Sequence, residues 1–555
     1  MSVVLSEHMP LLTSAPDGIL KLRGLILELA VRGKLVPQDP KDDPASELLK
    51  RIAKERALKQ QTPADDDDSL FSLPASWKWV RFGDVAQHNS GKTLDRGRNT
   101  GHARPYITTS NLYWGRFELS NVREMLIRDE ELERCTARRN DLLICEGGEA
   151  GRAAVWDSDE EVCFQNHVHR ARFFGGINPY YAYRIFQRLD LNGEINQFRK
   201  GVGISNLSGK SLASIPFPLP PLTEQHRIVA KVDELMALCD RLEAEVGAGD
   251  TAHAKLVDAL LGTLTQSTDA DELSANWQRF SKHFDTLFTT ESSLDVLKQT
   301  ILQLAVRGRL VPQDPNDEPA SELLKRIAKE RAKLEAEGKI KKSKPLQPAD
   351  EMNVPFALPN GWAWARFPEV GQFGRGKSKH RPRNDPALFN PGIYPLVQTG
   401  EVARAGTIVQ EFHSKYSEAG LSQSKMWPQG TLCITIAANI ADSAILSFDA
   451  CFPDSVVGFI PSELIEDSHY FLWFMKTARG ELLKFAPSTA QKNINLEILE
   501  SVQIPIPPRM EMQRIVAKVD ELMALCDELK ADLTESRKRQ SRLATTLIET
   551  ALEAA

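Results

Sequence analysis

The strongest constraint on this chain is that it repeats itself. ILELAVRGKLVPQDPKDDPASELLKRIAKERA, starting at Ile26, returns as ILQLAVRGRLVPQDPNDEPASELLKRIAKERA at Ile301, with four mild differences in 32 positions. RIVAKVDELMALCD occurs at Arg227 and, unchanged, at Arg514. A weaker pair, LPASWKWVRFGDV from Leu73 and LPNGWAWARFPEV from Leu358, holds the same place in both copies. The enclosed stretches, about 80–215 and 365–502, share little. A retained frame around divergent inserts predicts one mechanical role for the frames and separate targets for the inserts. At 555 residues the chain exceeds a single core. The repeat divides it into an N-terminal helical segment 1–58, a first insert domain 71–222, a helical spacer 223–336, a linker 337–356, a second insert domain 357–508 and a closing helix 509–555.

The frames read as helices. Ile228, Val232, Leu235, Cys239, Leu242 and Val246 step by four and three, as do Ile515, Val519, Leu522, Cys526, Leu529 and Leu533. That is a heptad seam, suited to packing against another helix or a partner subunit. Matching stripes precede the inserts at Ile19, Leu22, Ile26 and Leu29, and at Leu294, Leu297, Ile301 and Leu304. Each stripe stops near a glycine, Gly33 or Gly308, as helix ends often do. Core packing within a bundle accounts for these stripes, and a long spacer is compatible with it. The inserts read as mixed α/β. DLLICEGGEAGRAAVW from Asp141 and TLCITIAANIADSAIL from Thr431 are expected as strand, turn, strand, and YYAYRIFQRL and HYFLWFMKTARGELL as amphipathic helices. The exits PFPLPPL and IPIPP exclude a helix until the frame resumes.

Chemistry is harder to find. GQFGRGKS, Gly371 to Ser378, fits the nucleotide-binding pattern G-x-x-x-x-G-K-[ST], and AQHNSGKT from Ala86 comes close. A working loop needs a strand before it and a helix after it. Here Pro368 interrupts the lead-in, and Pro382, Pro386, Pro391 and Pro395 crowd the stretch where the helix would run. The 11 histidines form no metal-binding array, and the seven cysteines include no C-x-x-C pair. NPYY at Asn178 lacks the second proline of the amino-methyltransferase motif and reads as a helix start. No metal ligand and no catalytic residue is therefore assigned. No membrane span or export leader is read either, so a reduced cytoplasmic protein is expected.

Aligned on the Trp motifs, the two loops share G-K-x-x-x-R-x-R-N. Lys92, Arg96 and Arg98 match Lys377, Arg381 and Arg383, and the second copy adds Arg375, Lys379 and His380. Such a loop suits the phosphates and base edges of DNA, although the net charge of −6 makes any such role local. RPYITTSNLYWG and YPLVQTGEVARAG add Arg104, Thr108, Ser110, Asn111, Gln398 and Thr399 as base-edge candidates. Arg152, in EGGEAGR, is a further one. For each of these a turn or cap role is the competing assignment.

PLPPLTEQHRIVAKVDELMALCD from Pro218, the LAVRGKLVPQD segments and the doubled frame are similar to the specificity subunits of type I restriction–modification systems. A LAVRGKLVPQD segment ahead of the first insert resembles the IB subfamily. The resemblance covers nearly the whole chain. It implies a non-catalytic DNA reader with two α/β target recognition domains, separated by long antiparallel helices and related by an internal pseudo-two-fold. Each domain would bind half of a split, asymmetric DNA target, with half-site centres about one helical turn apart. The frames would dock two modification subunits and two restriction subunits. S-adenosylmethionine, ATP and magnesium would belong to those partners. A nucleotide-driven enzyme and a purely structural coiled-coil scaffold are the alternatives.

Overall fold

The repeat of sequence is a repeat of architecture. The computed structural model describes residues 9–55, 71–95, 97–201, 206–267, 270–338, 356–437, 440–484 and 494–554. Arg96 and most of the expected linker lie outside them. By contact the chain forms two units, 1–251 with 535–555, and 252–534.

The first unit contains α1 (Gly18–Val31) and α2 (Ala45–Glu55) ahead of its insert. Helix α1 stops because Gly33 takes a positive φ of 69°, and Gly308 does the same at 66°. A side chain there would also strike Trp77 or Trp362, whose rings lie within 3.0 Å of the missing Cβ. The insert then runs β1 (Lys78–Arg81), β2 (Ala86–Ser90), β3 (His102–Ile107), β4 (Arg123–Ile127), β5 (Thr136–Ala137), β6 (Leu142–Cys145), β7 (Ala153–Val155), β8 (Val162–Phe164), β9 (Val168–Phe173), α3 (Pro179–Leu191) and β10 (Pro216–Leu219). The trailing helix α4 spans Leu222–Gln266. Strands order as β2-β9-β6-β7 in one sheet, β4-β3-β8-β5 in a second, and β1-β10 in a two-stranded neck.

The second copy follows the same plan: α5 (Glu291–Val306), α6 (Ala320–Ala336), β11 (Ala363–Arg366), β12 (Gly371–Arg375), β13 (Tyr394–Leu396), β14 (Ile408–Val409), β15 (Ser414–Tyr416), β16 (Met426–Trp427), β17 (Leu432–Thr435), β18 (Ser443–Leu446), β19 (Ala450–Cys451), β20 (Val456–Pro461), α7 (His469–Lys484), β21 (Gln503–Ile506) and α8 (Arg509–Ala554). Its sheets order as β12-β20-β17-β18-β14 and β15-β13-β19-β16, with the neck β11-β21.

The central strands explain the unbroken apolar runs. Leu142 and Ile144 of β6 enter the core shared with the frame helices, while Leu143 and Cys145 enter a second core between the sheets. In β17, Leu432 and Ile434 take the first role and Cys433 the second. A strand covered on both faces loses the apolar–polar alternation. No helix runs through the proline-rich exits, as expected, and they are in addition strands. Trp79 pairs Pro218 and Arg81 pairs Pro216, and in the second copy Trp364 pairs Pro505. Proline is tolerated because β10 and β21 each have a single neighbour and need not donate on both edges. The Tyr181 hydroxyl donates to the Pro218 carbonyl at 2.8 Å, and Tyr470 makes the equivalent bond to Pro505.

Candidate nucleic-acid interface

The G-K loops are built by a close backbone approach. The Gly91 N–H donates to the Val168 carbonyl (3.2 Å) and the Lys92 N–H to that of Phe164 (3.0 Å). Gly376 and Lys377 make the same bonds to Val456 (2.9 Å) and Phe452 (3.2 Å). A Cβ on Gly91 would sit 2.0 Å from the Phe164 oxygen, and one on Gly376 2.2 Å from that of Phe452. The N–H groups that a nucleotide loop turns toward phosphate are thus spent inside the sheet. Gly371–Arg375, five of the eight residues of the apparent motif, is itself strand β12, paired residue by residue with β20. The next helical turn is a three-residue one at Pro386–Leu388. This geometry overturns the nucleotide-loop alternative.

In the first insert the candidates have uneven surroundings. The Lys92 ammonium pairs with Glu131. That hydrogen bond, with help from Arg128 and against a desolvation cost, holds the Glu131 carboxyl at about 2. Arg98 is exposed, 3.8 Å from Asp95, and Arg104 on β3 lies 3.5 Å from Asp129. Thr108 and Ser110 share a 2.7 Å hydroxyl contact. Asn111, expected at a base edge, is instead buried in the turn. Its amide donates to the carbonyls of Glu118 (3.0 Å) and Asn121 (3.3 Å), and its oxygen accepts from the Thr108 N–H (3.0 Å). Arg152 is also corrected. Its guanidinium donates to Glu149 and to the Thr109 carbonyl, both at 2.7 Å, and lies over the Tyr113 ring at 5.1 Å. It fastens two loops together, since a planar fork can satisfy both at once.

The second insert leaves more charge open. Arg375 donates to the Asp454 carbonyl, and Arg383 reaches both Asp454 carboxylate oxygens, all at 3.0 Å. His380 contacts Asp385 at 2.7 Å, and Arg381 caps the Ser378 and His380 carbonyls. The backbone N–H groups of Lys379 and His380 converge on the Gln423 side-chain oxygen. That anchors the loop while the Lys377 and Lys379 side chains stay exposed. Gln398 is exposed where a short helix starts at Thr399, and its N–H donates to Glu401 at 3.0 Å. Sequence reasoning missed Lys425, whose ammonium lies 3.5 Å from the centre of the Trp427 ring. It also missed Arg170, buried and bonded to the Glu133 and Thr136 carbonyls. Both positions are set by sheet register, which no local pattern in the sequence carries.

The frames are tied to the inserts by a repeated polar lock. The Trp77 indole donates to Glu224 at 2.9 Å, and the Trp362 indole donates to Glu511 at 3.1 Å. Beside them Arg227 pairs with Asp42, and Arg514 with Asp317 at 2.7 Å. Gln38 of the VPQD segment also donates to Glu224, so the Trp motif, that segment and the start of the trailing helix meet in one lock. The seam is filled within each unit. Ile228, Val232, Leu235 and Cys239 join Leu22 and Ile26 in one core. Ile515, Val519 and Cys526 join Leu297 and Ile301 in the other, with Leu522 and Leu529 packed at its margin. Leu304 is buried and Leu242 half-buried, whereas Val246 is exposed, so the first seam ends at Leu242.

Residues 74–247 and 359–536 each match the Type I restriction modification DNA specificity domain. The chain belongs to the specificity subunits of type I restriction–modification systems. It is 35% identical to the EcoAI specificity subunit of Escherichia coli over 96% of this chain and 94% of that one. Identity to the Escherichia coli EcoEI specificity subunit is also 35%, over the same shares. A solved chain of a type I R-M system, from work on its complex assembly and conformational transition, shares the fold. It has a TM-score of 0.52 at 18% identity and covers 87% of this chain and 99% of that one. Both inserts of this specificity subunit are therefore DNA-recognition domains, α/β in each case, with the long helix α4 leaving the first of them. Among the described residues no acidic, histidine or cysteine cluster is arranged to hold a metal, and no helix is long and apolar enough to cross a membrane. All seven cysteines are free and buried.

Proposed function

We propose that each recognition domain reads one half of a bipartite, asymmetric DNA target, with the frame helices setting the gap. The observation that carries this reading is a pair of unlike inserts, each closed by its own two-stranded neck, on nearly identical frames. The subunit itself is non-catalytic. Chemistry resides in its partners: two modification subunits that use S-adenosylmethionine to methylate adenine, and restriction subunits that use ATP and magnesium to translocate and cut DNA. The assembled complex works in the cytoplasm. The test is modular exchange. Because each neck fixes where its insert starts and ends, replacing residues 80–215 with the insert of another family member will change one half-site and leave subunit assembly intact. Mapping methylated adenines in cells carrying the hybrid reads the outcome. A simultaneous change in both half-sites would overturn the proposal.

A further inference from the structure

The two recognition domains place equivalent lysines in opposite electrostatic settings. Sheets β4-β3-β8-β5 and β15-β13-β19-β16 have the same order and the same pairing directions. Thr136 pairs Cys163 in the first, and Met426 pairs Cys451 in the second. The residue entering that edge strand is therefore Cys135 in one copy and Lys425 in the other. In the first domain the loop lysine, Lys92, is matched by Glu131, four residues before Cys135. In the second, the residue at that entry, Lys425, follows Ser424, whose hydroxyl bonds to the Lys377 backbone. The Lys425 ammonium, 3.5 Å from the centre of the Trp427 ring, is weakened first by burial and then by Lys377. Among the described residues neither lysine has a carboxylate within ion-pair distance. The neighbouring acids are engaged elsewhere, Asp454 by Arg383 and Asp385 by His380. The loop is held in place, since the Ser424 hydroxyl donates to the Lys377 carbonyl at 2.9 Å. Two lysines on adjoining backbone with no carboxylate partner leave positive charge uncompensated in the unbound protein, and an anion held by both relieves it.

We infer that the second domain grips a DNA backbone phosphate jointly through Lys377 and Lys425, whereas the first keeps Lys92 neutralised on Glu131. The two half-sites are then held with unequal ionic contributions. This rests on the DNA-reading function proposed above. The test uses the full chain and a random-sequence 30-base-pair duplex, with affinity measured across a potassium chloride series. One phosphate contact contributes about 0.9 to the slope of log affinity against log salt. K377A and K425A will each flatten the slope by about one unit, the double variant by no more than the singles, and K377R will restore it. E131Q will steepen the slope by about one unit as Lys92 is released, and adding K92A will remove that gain. Wild-type binding with unchanged slopes in K377A and K425A, or no change in E131Q, overturns this inference alone. Absence of salt-dependent duplex binding by the wild-type chain overturns the DNA-reading proposal with it.

Discussion

At the scale of single residues, the polar locks show a carboxyl group kept where water cannot reach. Glu224 and Glu511 are fully buried, and burial raises both above the ordinary carboxylate range, against the pull of the Trp77 and Trp362 indoles. The folded state then holds its proton to a higher pH than the unfolded chain, whose glutamates titrate near ~4.3. Stability from this group is complete below that value and declines as pH rises through the folded-state one. Glu511→Gln keeps an acceptor for Trp362 and cannot ionise, so its stability relative to wild type will rise as pH increases from about 4 through the raised folded-state value. Urea midpoints at a series of pH values check this, and a difference independent of pH would refute it. Glu131 behaves oppositely. Held at about 2 by Lys92, it contributes stability above the unfolded value that is lost as pH falls through the folded one.

At the scale of elements, the long helices owe their positions to separate buried stretches and not to their whole length. Ile515 near the start of α8 is fully buried against Leu297 and Ile301, whereas Leu525 on the same helix is 48% exposed. Truncating a buried isoleucine removes packing and leaves a cavity, so Ile515→Ala will cost about 2–5 kcal/mol. Leu525→Ala will stay within about 0.5 kcal/mol, because little apolar surface changes environment. Chemical denaturation of the two variants separates these outcomes, and equal losses would mean that the seam is not what seats the helix. The strands carry the same lesson. The runs LLIC and LCIT are legible as strands from sequence, yet their division between two cores needs both covering layers to be present.

At the scale of the whole molecule, α4 begins in the first unit and ends in the second. Its seam stops at Leu242, and residues 243–252 are exposed. This stretch is where length can change without disturbing a core. Inserting four helix-forming residues after Ala248 adds about 6 Å at 1.5 Å per residue. At ~3.4 Å per base pair, the gap between half-sites will widen by at most about two base pairs. The half-site sequences themselves will not change. Methylation mapping with the lengthened subunit reads the gap, and an unaltered gap with full methylation would show that α4 does not set it.

The sequence by itself determined the doubled plan, the helical frames, the glycine stops at Gly33 and Gly308, and the mixed inserts. These rest on repeats, on periodicity and on local backbone rules, which act over a few residues. It also revealed the paired G-K-x-x-x-R-x-R-N loops, but not what surrounds them. Only the tertiary structure decided that Gly91 and Gly376 serve a close strand approach, that the proline-rich exits are strands, and that Asn111 and Arg152 are spent on holding loops. It alone set Glu131 against Lys92 and Lys425 beside Lys377. The physical reason is register. Which side chains meet across a sheet is fixed by pairing between segments far apart in the chain, and a shift of one residue would exchange every neighbour.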